Sequence, residues 1–141
     1  MSELDPNYII AVAEQLSFVS AFLGGISATI LVTIIVFASS KKSVNWIVSS
    51  SAIAACSLLI AVVASWRLLI MLHQEFPMAV DQRIVKILWF GMLLGYSLGY
   101  LSLLASIGLS GWIRSKRDGI ITSAIAVIAM LFFLFATPFG I

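Results

Sequence analysis

The chain has 141 residues, 62% of them hydrophobic and 10% charged, and a formal net charge of +2. A water-soluble domain carries about 25% charged residues, so this chain lacks the polar groups to cover its apolar surface in water. The small net charge, with no Lys/Arg-rich patch interleaved with aromatics, argues against a nucleic-acid partner and leaves the lipid bilayer as the expected surroundings.

The first fifteen residues hold Glu3, Asp5 and Glu14 and no basic residue, so they lack the basic region of a cleaved secretory signal. Asp5-Pro6 reads as a helix N-cap followed by proline at the first helical position. The first membrane span is expected over residues 16–39, uncharged throughout, with its helix beginning as early as Pro6. At 100° per residue this helix has two small or polar faces. Ser17, Ser20, Gly24 and Ser27 form one, expected to pack, because small residues let helix backbones approach and hydroxyls bond back to their own carbonyls. Glu14, Phe18, Gly25, Thr29 and Val36 form the other, with Thr33 at its edge. A carboxylate at a mouth followed by small or hydroxyl-bearing rings is how a helix lines an ion path.

The second span is expected over residues 46–72. Ser50, Ala54, Ser57, Ala61 and Ala64 make a small-residue seam, and Cys56, the single cysteine, is expected in the core. Arg67, about one turn inside the span, can carry its charge back to the headgroups along its aliphatic stem. The third span, residues 84–113, contains "GMLLGYSLG", in which Gly91, Gly95 and Gly99 recur every four residues. That repeat signals close helix contact, within or between subunits. Tyr96 and Tyr100 beside it are expected to pack. The fourth span, residues 119–140, is the most uniformly apolar, and Phe132, Phe133, Phe135 and Phe139 mark it as lipid-facing. Pro138 falls near its end.

Trp46, Trp66, Trp89 and Trp112 lie near span ends, as interfacial anchors do. The joints are short, so the expected fold is all-α: four transmembrane helices in one compact antiparallel bundle over residues 1–141. The first and third joints hold five basic residues, Lys41, Lys42, Arg114, Lys116 and Arg117, against three on the other side, Arg67, Arg83 and Lys86. The positive-inside rule then puts both termini outside the cytoplasm.

Chemistry is sparse. "GLSG" at residues 108–111 has the look of a serine-protease motif, but the single histidine, His73, belongs to the opposite end of an antiparallel hairpin from Ser110. One His, one Cys and six scattered carboxylates offer no metal centre, and there is no glycine-rich phosphate loop. An enzyme, a cofactor and a resident metal are not expected.

The stretches "SAFLGGISATILVTIIV", "SSSAIAACSLLIAVVASWRLLIM" and "GWIRSK", on a four-span plan, resemble the Orai calcium-channel family. The resemblance implies a ring of subunits with the first helix innermost and Gly25 at the position of the family's glycine hinge. It places neutral Thr33 at the acidic filter and Phe18 where basic residues stand, so it does not imply calcium selectivity. "YIIAVAEQLSFV" resembles the first helix of the small multidrug exporters, and there Glu14 would exchange protons for cationic drugs. The leading expectation is a homo-oligomeric pore for an inorganic ion, with Glu14, Phe18, Gly25, Thr29 and Thr33 along the path. The alternatives are a proton-coupled exporter using Glu14, and a non-catalytic membrane subunit that packs against a partner through the Gly91/Gly95/Gly99 seam.

Overall fold

The structure, a computed structural model, describes residues 6–37, 42–72 and 82–136. Expectations for Asp5, Lys41, His73, Pro138 and Phe139 lie outside the described residues. All described structure is helical: α1 (Pro6–Phe37), α2 (Lys42–Leu72), α3 (Gln82–Arg114) and α4 (Lys116–Ala136). The first three have 32, 31 and 33 residues, close to 50 Å each at about 1.5 Å per residue. Each holds a stretch long and apolar enough to cross a membrane. α4 is shorter, with 21 residues. Helix α2 starts four residues before its expected span because Lys42, Ser43 and Asn45 stop the apolar run without stopping the backbone hydrogen bonds.

The four described helices form a helical bundle that is open rather than closed. The helices pack in chain order, α1 on α2, α2 on α3 and α3 on α4, with a narrow contact between α1 and α3 and none between α4 and either α1 or α2. Short joints make neighbours antiparallel but do not close a ring of four helices. The three-helix contact is at one end, where Ala13, Ala64, Leu68 and Met92 are buried together.

The buried set combines apolar residues such as Ile47, Leu58, Leu68 and Met92 with many small ones, and the surface is rich in large apolar side chains. Ala13, Ala54, Ala61, Ala64 and five serines (Ser20, Ser27, Ser51, Ser65 and Ser106) are buried, while Phe22, Ile35, Leu59, Val63, Ile87 and Phe132 are exposed. In helices that cross a membrane, burying large apolar side chains gains little over lipid tails, and small residues that let backbones approach contribute to their packing. Ser27 and Ser65 donate to the Leu23 and Ala61 carbonyls at 2.9 and 2.7 Å, which removes most of the cost of a buried hydroxyl. Cys56 is exposed, not in the core, because it lies on the uncovered side of α2 with Ile53, Leu59, Ile60 and Val63.

The α2–α3 contact is the tightest. A Cβ added at Gly95 would lie 2.9 Å from the Ser57 carbonyl oxygen and 3.1 Å from the Ala61 nitrogen, and one at Gly99 would meet Leu58 Cγ at 2.5 Å. Gly91, the third residue of the repeat, has nothing within 4 Å of that point. The Gly95/Gly99 part of the seam is therefore filled by this chain's own α2, and it is not a free surface for a partner.

Between α3 and α4, Ser115 interrupts the helices and caps the second one: the Asp118 N–H donates to Ser115 Oγ at 3.1 Å. Thr122 Oγ1 lies within reach of the carbonyls of Gly108 (3.0 Å), Asp118 (3.0 Å) and Gly119 (3.2 Å). The Trp112 indole N–H donates to Ser123 Oγ at 3.1 Å, and Ser123 donates on to the Gly108 carbonyl at 3.2 Å. Further along, Phe133 stacks on Tyr100 with ring centroids 4.5 Å apart, so of the α4 phenylalanines Phe133 faces α3 while Phe132 and Phe135 face outward. Thr122→Val keeps the shape and removes the hydroxyl that ties the helices. It should lower stability by about 1 kcal/mol, read as a lower melting temperature in detergent. Ser110→Ala, at an exposed hydroxyl that bonds only within α3, should leave the melting temperature unchanged.

Candidate functional site: the outer face of α1

Helix α1 turns one of its two small faces to α2 and the other away from the chain. Ser20, Gly24 and Ser27 are buried and Ser17 half-buried, and Gly24 lies against Leu58, with a Cβ–Cβ distance of 3.6 Å once a side chain is added. Glu14, Phe18, Gly25, Thr29, Thr33 and Val36 are all exposed. Gly24 and Gly25 are consecutive, and the turn of about 100° between consecutive residues sends them to different sides.

The exposed face is notched. Gly25 has nothing within 4 Å of where a Cβ would be, and it lies in an open groove of about 500 Å³ lined also by Ala21, Phe22, Ile26, Thr29 and Ile30. The sequence reading missed four of these, Ala21, Phe22, Ile26 and Ile30. Ala21 carried a usable signal, since Ala21, Gly25 and Thr29 are spaced by four. Phe18 stands one turn from the groove toward the α1 N-terminus, with 76% of its surface exposed. Glu14 is a further turn away, so the face from Glu14 to Thr33 runs about 28 Å at 1.5 Å per residue.

The hydroxyls on this face have a polarity. Thr29 Oγ1 donates to the Gly25 carbonyl at 2.9 Å and Thr33 Oγ1 to the Thr29 carbonyl at 2.7 Å. With the proton turned back into the helix, each oxygen presents its lone pairs outward. The polar groups of this face are the two threonine hydroxyls and one carboxylate, set beside the mainly apolar lining of the groove.

Glu14 and Arg67 occupy the same end of the α1–α2 pair, both exposed. Among the described residues, no group of three or more His, Cys, Asp or Glu side chains is placed to hold a metal ion. Comparison with protein-family models, with curated proteins and with solved structures finds no match to the chain.

Proposed function

We propose that the protein is a multi-pass integral membrane protein that assembles as a homo-oligomeric pore for a small cation, with α1 innermost. The observation that carries this reading is the outer face of α1, unpartnered in its own chain, notched at Gly25 and lined by outward lone pairs from Thr29 and Thr33. The order of packing supports it. α1 stands at one edge of the row of helices and α4 at the other, so copies arranged around an axis can all present α1 to the centre while α4 stays at the rim. Glu14 would sit at one mouth, Phe18 would form a hydrophobic constriction, and Gly25, Thr29 and Thr33 would form neutral rings. The concentric plan is that of the Orai family, which the sequence resembles. Neutral Thr33 in place of an acidic filter makes the pore one for cations without calcium selectivity. All four helices cross the membrane in this reading, α4 included, and the basic joints place both termini outside the cytoplasm.

The exporter alternative needs Glu14 desolvated, and its own chain leaves Glu14 exposed. The packing-subunit alternative loses its proposed contact, because α2 fills the Gly95/Gly99 seam. Native mass spectrometry of the purified protein from detergent separates the three. The pore requires a ring of five or more subunits; a dimer would favour the exporter, and a monomer would contradict both.

A further inference from the structure

Basic residues from three helices gather at one end of the described structure. The α2–α3 register set by Gly95 against Ala61 and Gly99 against Leu58 brings the backbone position of Lys42 level with that of Arg114. Lys42, Arg114, Lys116 and Arg117 are therefore collected at one end, where Asp118 is the one acidic residue among the described residues. At the opposite end the described helices carry Arg67, Arg83 and Lys86 against Glu14.

Two features set the basic end apart from an ordinary solvated turn. First, its backbone is closely packed and hydrogen-bonded across the α3–α4 turn. Gly111 is so close to α4 that a Cβ there would lie 2.6 Å from the Asp118 carbonyl oxygen, and Ser115, Thr122 and Ser123 tie the two helices by hydrogen bonds. Lys116 and Arg117, both exposed, are thus carried on this packed backbone, and holding charges in place before binding lowers the ordering cost of a ligand. Second, the indole of Trp112, half-exposed and fixed by its bond to Ser123, marks the level of the membrane–water boundary within one to two helical turns of all three cations of the α3–α4 turn.

We infer that this basic end is a contact surface for anionic phospholipid, with headgroup phosphates seated at the α3–α4 turn on Lys116 and Arg117 beside Trp112. The inference rests on membrane insertion and not on the pore, so it stands or falls separately from the conduction reading. Charge complementarity names the occupant: clustered basic residues just outside an apolar span, at the depth of the headgroups, attract anionic lipid by about fivefold in affinity per Lys or Arg.

The test uses the full-length protein in lipid nanodiscs in which phosphatidylglycerol replaces phosphatidylcholine stepwise, with the melting temperature and the number of retained lipids by native mass spectrometry as readouts. Phosphatidylglycerol should raise the melting temperature of the wild type and stay bound to it. Lys116→Gln/Arg117→Gln should weaken lipid retention by about 25-fold and remove most of the rise, whereas Arg67→Gln/Lys86→Gln at the opposite end should keep both. An equal loss in the two double variants, or no loss in either, would overturn the site. Inorganic phosphate added in phosphatidylcholine nanodiscs should give no rise beyond chloride of the same ionic strength; a rise equal to that from phosphatidylglycerol would show a free-anion site and overturn the lipid assignment.

Discussion

Replacing Gly95 with leucine should leave little folded protein. The first carbon of the new side chain already meets backbone on two sides, the Ser57 carbonyl oxygen at 2.9 Å and the Ala61 nitrogen at 3.1 Å. Backbone cannot rotate out of the way as a side chain can, so α2 and α3 must separate. Overpacking costs about 1–3 kcal/mol where neighbours can adjust, and a clash with a helix backbone belongs at or above the top of that range. The contact being broken is also the most extensive in the molecule. Gly91→Leu is the matched control: same helix, same chemistry, nothing within 4 Å. It should express and elute as the wild type does, and its stability should be equal or slightly higher, because glycine is a poor helix former by about 1 kcal/mol relative to alanine. Size-exclusion profiles and melting temperatures of the two variants decide this. If both fold equally well, α2 and α3 do not pack through Gly95.

The same substitution at Gly25 should do the opposite: fold normally and stop conduction. The space outside Gly25 is open in the chain, so leucine there disturbs no intrachain contact. In a ring with α1 innermost, it would add one isobutyl group per subunit at one level of the path, displacing water from the groove between Phe22 and Thr29. Cation flux into liposomes, by a fluorescent indicator or by current in planar bilayers, should fall by at least about tenfold, as expected of a hydrophobic constriction. The melting temperature should stay at the wild-type value. Flux unchanged in a variant of normal stability would remove Gly25 from the path.

Much of this architecture is legible in the sequence because a long uncharged run has few alternatives to a helix once water is removed. The separation of Gly24 from Gly25 is legible too, since helical geometry alone sends adjacent residues to different sides. Other features were not legible, for physical reasons. Cys56 and Phe133 were assigned to the wrong environments, core and lipid respectively, because hydrophobicity does not tell inside from outside when both are apolar. The exposure of Cys56 on α2 and the stacking of Phe133 on Tyr100 depend on which helix faces are covered. Joint length limits only which helices are neighbours, so it does not tell an open row from a closed bundle. The tie at Thr122, Ser123 and Trp112 needs residues eleven to fifteen positions apart to meet across the Ser115 turn. That register comes from Gly108 and Gly111 packing on α4, and no local pattern carries it.

The orientation of α1 toward water is the point on which the proposed function depends, and thiol labelling tests it most directly. In a Cys56→Ala background, which removes the exposed native thiol, cysteine would be placed one at a time at Gly25, Thr29, Ser20, Ser27 and Val63. The protein would be reconstituted in liposomes and treated with a charged, water-soluble methanethiosulfonate. A central path along α1 requires rapid labelling at Gly25→Cys and Thr29→Cys. Ser20→Cys and Ser27→Cys, buried against α2, should be protected, as should Val63→Cys on the outer face of α2. Protection of Gly25→Cys and Thr29→Cys at the level of Val63→Cys would place that face in lipid and contradict the pore.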